Sequence, residues 1–146
     1  MIAVQTQERE LFEAWSETDE SRRMKADFPI FSGVGAASTS VVYFELEPGH
    51  HCGAHTDSAE EVVLILEGEA EAVVGDERGR LSTGGLALVP ALVSHDVINV
   101  GDTTLKIVGF FSSAVTVSVF DDPLLPLERR VVGTPLPEEE ALTAAV

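Results

Sequence analysis

Histidines and carboxylates crowd into residues 49–68, GHHCGAHTDSAEEVVLILEG. His55 and Asp57 are two residues apart, so on an extended strand, whose side chains alternate faces, both point the same way. His51 and Gly53 share that phase, which makes His51 a rival donor, while Cys52 points to the opposite face and reads as a small buried residue. Glu61 then opens the apolar run VVLIL, a buried strand that can bring a carboxylate back toward the first pair. Imidazole and carboxylate at such spacing suit a cation. Taken singly, each histidine also fits as a hydrogen-bonded residue of the core or surface. Asp57 also fits as a turn residue or as an acceptor that orients a ligand.

The spacing resembles the first motif of the cupin superfamily, a glycine, five residues, His-x-His, three or four residues, glutamate, six residues and glycine. Here the positions are Gly49, His55, Asp57, Glu61 and Gly68. The family's second motif, glycine, five residues, Pro-x-Gly, two residues, histidine, three residues and asparagine, is similar to Gly84, Pro90, Leu92, His95 and Asn99. The two motifs and the segment between them cover about a third of the chain. Two positions depart from the pattern: Asp57 stands where a second histidine is usual, and Leu92 where a turn glycine is usual.

The resemblance implies a small single-domain cupin of the type-2 conserved-barrel kind, with His55, Glu61 and His95 as metal ligands and Asp57 as an optional fourth. Glu60 is the rival of Glu61, and the distance to Gly68 selects Glu61. Two imidazoles with one or two carboxylates suit an octahedral divalent transition-metal ion with open positions better than a closed tetrahedral zinc site. Fe(II) or Mn(II) is therefore favoured, with Ni, Cu and Zn also compatible. Val63 and Ile65 share the phase of Glu61, and Phe44, Leu46, Phe110 and Phe111 are available to line a partly hydrophobic pocket for a small molecule that chelates through oxygen. The expected activity is a dioxygenase-type oxidoreductase in which Glu61 also acts as a base. A metal-dependent isomerase or lyase, and a non-enzymatic metal-stabilised binding module, are the alternatives. His55-Thr56-Asp57 with His95 is also similar to the facial triad of the 2-oxoglutarate-dependent iron oxygenases, with Lys106 for the co-substrate. That resemblance leaves Gly49, Glu61, Gly68, Pro90 and Asn99 without a role.

The elements that must position these residues are short and regularly spaced. From residue 38 onward the pattern has period two. TSVVYFELE, VVLILE and EAEAVV end at Pro48-Gly49, Gly68 and the turn GDERG at residues 75–79, and further strands are expected over residues 86–89, 94–100, 104–111 and 115–120. This predicts an all-β class, and the cupin resemblance selects a small antiparallel jelly-roll β-barrel. Leu11, Phe12 and Trp15 at helical spacing predict a short N-terminal helix, which either closes the core or exchanges with a second subunit, and residues 16–25 read as a solvated connection. A proline-punctuated C-terminal tail follows the barrel and ends in PEEEALTAAV, read as a final helical turn or two. The organisation expected is an arm over 1–27, a barrel over 28–120 and a tail over 121–146, one domain overall.

Composition narrows the functions. A net charge of -16 repels a phosphate backbone, and the one basic cluster is Arg22, Arg23 and Lys25, so no nucleic-acid partner is expected. No membrane partner is expected either, since no run approaches the roughly 20 apolar residues of a spanning helix. Glu8, Glu10 and Glu13 break up any secretory leader, and the single Cys52 has no internal disulfide partner, which predicts a cytoplasmic protein. The family resemblance implies a homodimer acting on a small-molecule substrate.

Overall fold

The computed structural model describes residues 1–134, in which nearly all regular structure is strand. In chain order the strands are β1 (Phe12–Trp15), β2 (Arg23–Ile30), β3 (Ser40–Leu46), β4 (His55–Asp57), β5 (Glu61–Glu67), β6 (Glu69–Val74), β7 (Glu77–Ser82), β8 (Leu86–Val89), β9 (His95–Asn99), β10 (Leu105–Phe111), β11 (Thr116–Leu124) and β12 (Arg129–Thr134). They form two antiparallel six-stranded sheets, ordered β1-β2-β3-β10-β5-β8 and β12-β11-β4-β9-β6-β7, facing one another as the jelly roll that was expected.

The alternation of β5 explains the packing. Glu61, Val63 and Ile65 point inward, whereas Val62 and Leu66 are exposed, so the run VVLIL is buried on one face only. Strands β3 and β10 of the same sheet contribute Leu46, Leu105 and Ile107, all fully buried. Each such side chain contributes about 1.5–3 kcal/mol by leaving water. Glycines close the turns where the chain must adopt positive φ: Gly68 (φ 105°) joins β5 to β6, and Gly75 (φ 57°) opens the two-residue loop of the β6–β7 hairpin. Leu92 carries φ 66°, so the departure at this position places a leucine in the left-handed conformation that a glycine would adopt without strain.

Several local expectations are corrected. The N-terminal helix is reduced to a 3-10 turn over Thr6–Glu8, and Phe12 to Trp15 form the edge strand β1 paired with β2 from Phe12↔Ala26 to Trp15↔Arg23. A ten-residue helix is marginal by itself, whereas the edge of β2 offers ready backbone partners and a buried place for Ala14. Residues 16–25 are not simply solvated: Arg22 is only 3% exposed, and β2 begins at Arg23. β2 also runs through the expected arm–barrel boundary at residue 27, shifting register between Asp27 and Ile30, where Pro29 has no N–H to offer the ladder. Glu77, Arg78 and Gly79 belong to β7 rather than to a turn. The expected tail begins with the end of β11 and β12, which pair in the second sheet. The final helix expected in PEEEALTAAV lies outside the described residues.

Candidate metal centre

The second sheet aligns the donors by register. Phe120 on β11, His55 on β4 and His95 on β9 are direct cross-strand neighbours, and Ser118 stands opposite Asp57 one pleat further along. Side chains two apart share a face, so this small patch presents His55, Asp57 and His95 together toward the first sheet. Their donor atoms all lie within 4.8 Å of one another. His95 Nε2 is 3.0 Å and His55 Nε2 3.8 Å from Asp57 Oδ2. Glu61 approaches from the first sheet, its Oε1 3.6 Å from His95 Nε2. The four candidates read from the sequence therefore meet, with Asp57 at the centre and Glu61 at the margin.

Neighbouring groups orient these donors. The Nδ1–H of His55 donates to the Gly53 carbonyl (2.7 Å) and that of His95 to the Val93 carbonyl (2.9 Å), so each Nε2 is turned toward the cluster. Ser118 Oγ donates to Asp57 Oδ1, leaving Oδ2 for the interior. Phe120 stacks on the His55 ring at 4.5 Å between centroids. Asp57 Oδ2 and His95 Nε2 are buried and, although 3.0 Å apart, make no well-directed hydrogen bond to each other or to any other group. Two such atoms converging in a set of two imidazoles and two carboxylates fit a divalent metal ion.

Glu61 has its own recess. On β10 the inward row reads Ile107, Gly109, Phe111, and a Cβ at Gly109 would lie 2.1 Å from Glu61 Oε2. The missing side chain is the space the carboxylate occupies.

Burial and charge set the protonation. Burial lowers the pKa of His55, with the Asp57 carboxylate opposing it and His95 adding to it. For His95 burial also opposes charge, but Asp57 and Glu61 outweigh it and push the imidazole up to about 10, so a metal ion at Nε2 would displace a proton there. Asp57 is held below the ordinary carboxylate value, because the two histidines and Ser118 overcome its burial. Glu61 moves the other way: burial raises it, and His95 offsets that only in part while the Asp57 charge reinforces it.

Other expectations fare differently. His51 does not reach the centre: its Nδ1 lies 2.7 Å from Asp96 Oδ2 and its Nε2 3.1 Å from Asp19 Oδ2. Gly53 has φ 95°, which breaks the extended phase that was to align His51 with His55. Cys52 is buried as expected, its thiol against Asp96. Asn99 is structural, its amide donating to the carbonyls of Leu46 and Thr103. Lys106 pairs with Glu67 at the surface (3.0 Å) and does not line the cavity, which removes the co-substrate anchor of the 2-oxoglutarate alternative. Phe44 and Phe111 line the cavity, whereas Leu46 does not and Phe110 is exposed. Ser118, Phe120 and Gly109 went unread, although a serine in the inward phase of TVSVF was a visible polar signal in an apolar strand.

The cavity beside the donors has a volume of about 60 Å³ and is otherwise walled mainly by apolar side chains. That is room for roughly four to six waters.

Comparison with known proteins agrees with this architecture. Residues 42–111 match the family described as Cupin domain. An oxalate decarboxylase of Lactobacillus farciminis, in a formate complex, superposes with TM-score 0.64 at 21% identity, over 72% of this chain and 32% of that one. The oxalate decarboxylase of Bacillus subtilis, which has Mn(II) centres, gives 0.62 at 18% identity over 73% and 30%. A protein of Acidithiobacillus ferrooxidans provisionally named a sugar phosphate isomerase gives 0.63 at 17% identity over 82% and 80%. At these identities the likeness is one of fold, and the chain spans about a third of the decarboxylases' length. No curated protein matches the sequence.

Proposed function

We propose that this chain, a small protein with a cupin domain and the cupin fold, binds one divalent transition metal through His55, Asp57 and His95 with Glu61 beside them. We further propose that it acts as a dioxygenase-type oxidoreductase on a small, oxygen-chelating organic substrate. The observation that carries this reading is the pair of buried atoms Asp57 Oδ2 and His95 Nε2, which lie 3.0 Å apart without a well-directed hydrogen bond and converge with His55 at the edge of a largely apolar cavity. Fe(II) or Mn(II) remains the preferred ion, and the manganese of the Bacillus subtilis decarboxylase supports a divalent metal here. When bound, such an ion supplies Lewis acidity toward substrate oxygens and, if redox active, electrons for dioxygen.

The chain's own residues do the rest. His55 and His95 present Nε2, held by the carbonyls of Gly53 and Val93. Glu61 receives a proton from an acidic C–H or O–H of the substrate, and its burial raises its proton affinity toward that task. Phe44, Phe111 and Phe120 exclude water. No lysine or arginine lines this cavity among the described residues, and two carboxylates already balance a divalent charge, which disfavours dianionic substrates such as oxalate or a sugar phosphate. The position of Glu61 at the margin of the donors, its Oε1 3.6 Å from His95 Nε2, also favours a second reading, an isomerase or lyase that uses the same base without dioxygen.

Oxygen uptake by iron-loaded protein on diketones, catechols and flavonols tests the choice. Substrate-dependent uptake is expected, whereas anaerobic conversion of the same compounds would favour the second reading. Binding without turnover would leave a metal-stabilised module.

A cytoplasmic homodimer completes the proposal. Among the described residues no helix is long and apolar enough to cross a membrane. Phe110, Val62 and Leu88 are exposed neighbours across β10, β5 and β8, beside exposed Leu86, and they make an uncharged face on a chain of net charge -16. Two copies can meet there without like-charge repulsion. A scattering mass of 15.6 kDa at micromolar concentration would count against it.

A further inference from the structure

A second chamber, of about 340 Å³, adjoins the cavity at the metal centre. Phe12, Phe28 and Val132 line both spaces, so they form the border at which the two meet. The two phenyl rings stack at 6.4 Å between centroids and stand on adjacent strands β1 and β2, while Val132 comes from β12 of the facing sheet. The inner cavity, at about 60 Å³, holds little beyond an ion and a chelating head group.

Beside the shared residues the outer chamber is lined by Pro126, Leu127 and Gly133 and by two carboxylates. Its two carboxylates are already engaged: Asp27 accepts from Arg9 Nε at 2.6 Å, and Glu13 from Arg23 Nη1 at 2.9 Å. Neither arginine lines the chamber, so among the described residues it offers no free cation to a charged substituent.

We infer that the outer chamber is the subsite for an uncharged apolar tail on the substrate whose oxygen-chelating head sits at the metal centre, with Phe12 and Phe28 as the residues that select for that tail. The substrate class is then an amphiphile, a bidentate oxygen head bearing an alkyl or aryl chain. This rests on the proposed metal centre. Burial of each methylene in such a chamber is worth about 0.8 kcal/mol, a factor of about four in affinity.

Alkylhydroxamates carry one fixed metal-chelating head on tails of any length, and they are neutral near pH 7. Calorimetric titration of the metal-loaded protein with members from acetohydroxamate to decanohydroxamate should show affinity rising about fourfold per added methylene once the tail is long enough to pass Phe12 and Phe28, and until the chamber is full. The same titration on chelator-treated protein should show no such rise. Leu127→Trp, which fills the chamber, should cut the increment below twofold. Phe12→Ala, at an exposed position of the edge strand, should widen the border between the two spaces and bring the rise on at a shorter tail; it covers the case in which the tryptophan variant fails to fold.

A flat series, a rise that persists without metal, or an increment unaltered in both variants overturns the inference while leaving the metal centre standing. Failure of every hydroxamate to bind the metal-loaded protein overturns both.

Discussion

Replacing Asp57 by Asn tests the centre most directly, because the amide keeps the shape and removes the charge. Asp57 Oδ2 faces both imidazoles, at 3.0 Å from His95 and 3.8 Å from His55, and its side chain is almost wholly buried. Losing a group that merely orients a ligand typically costs 10–100-fold in metal affinity, so loss of a charged ligand should cost at least about 100-fold. With free metal about 100 times above the wild-type dissociation constant, binding to the native state is worth about 2.7 kcal/mol, and the variant would keep about 0.4. At roughly 2–4 °C per kcal/mol for a chain of this size, a metal-induced rise in melting temperature of about 5–11 °C should shrink to about 1–2 °C.

The assay is a thermal melt with and without chelator, on both proteins. The difference between the two melts is the readout, since removing a buried carboxylate beside His95 also alters the metal-free protein. An undiminished metal-induced rise in Asp57→Asn would refute ligation by Asp57, and a rise absent from the wild type would refute the centre itself.

Two further outcomes follow from the packing. Gly109→Ala should destabilise by about 1–3 kcal/mol, because the new Cβ meets Glu61 Oε2 at 2.1 Å and Val42 Cγ1 at 2.8 Å; adding Glu61→Ala should recover part of the loss, and strictly additive melts would refute the recess. His51 is raised above its ordinary pKa of about 6.5: burial opposes the charge, and Asp96 and Asp19 outweigh it. A group raised on folding contributes stability that is complete below the unfolded pKa and is lost as pH climbs through the folded one. The deficit of His51→Gln relative to wild type should therefore be largest near pH 5–6 and shrink on the alkaline side, and a gap that widens with pH would contradict the ion pairs.

The sequence by itself determined the all-β class, the turns at Gly68 and Gly75, and the shared face of His55 and Asp57, because alternation and backbone conformation are local properties; that Glu61 and His95 join them was implied only by the resemblance of the two motifs to the cupins. Period two separates Val63 from Val62 without reference to any partner strand, and positive φ marks a glycine turn wherever it occurs. Local phase could not be carried through such a turn. Read forward across Gly53 it aligned His51 with His55, whereas the left-handed residue redirected His51 to Asp96 and Asp19.

Only the tertiary structure ranked Asp57 at the centre and Glu61 at its edge, since that depends on cross-strand register and on the gap between sheets. It likewise decided that residues 12–15 are a strand, and that Ser118, Phe120 and Gly109 shape the site. A strand edge gains its hydrogen bonds, and a recess its walls, from residues remote in the chain. Phe12 and Phe28 belong to different strands, and Val132 comes from the opposite end of the described chain. The border they form between two chambers comes into being when the two sheets close on each other.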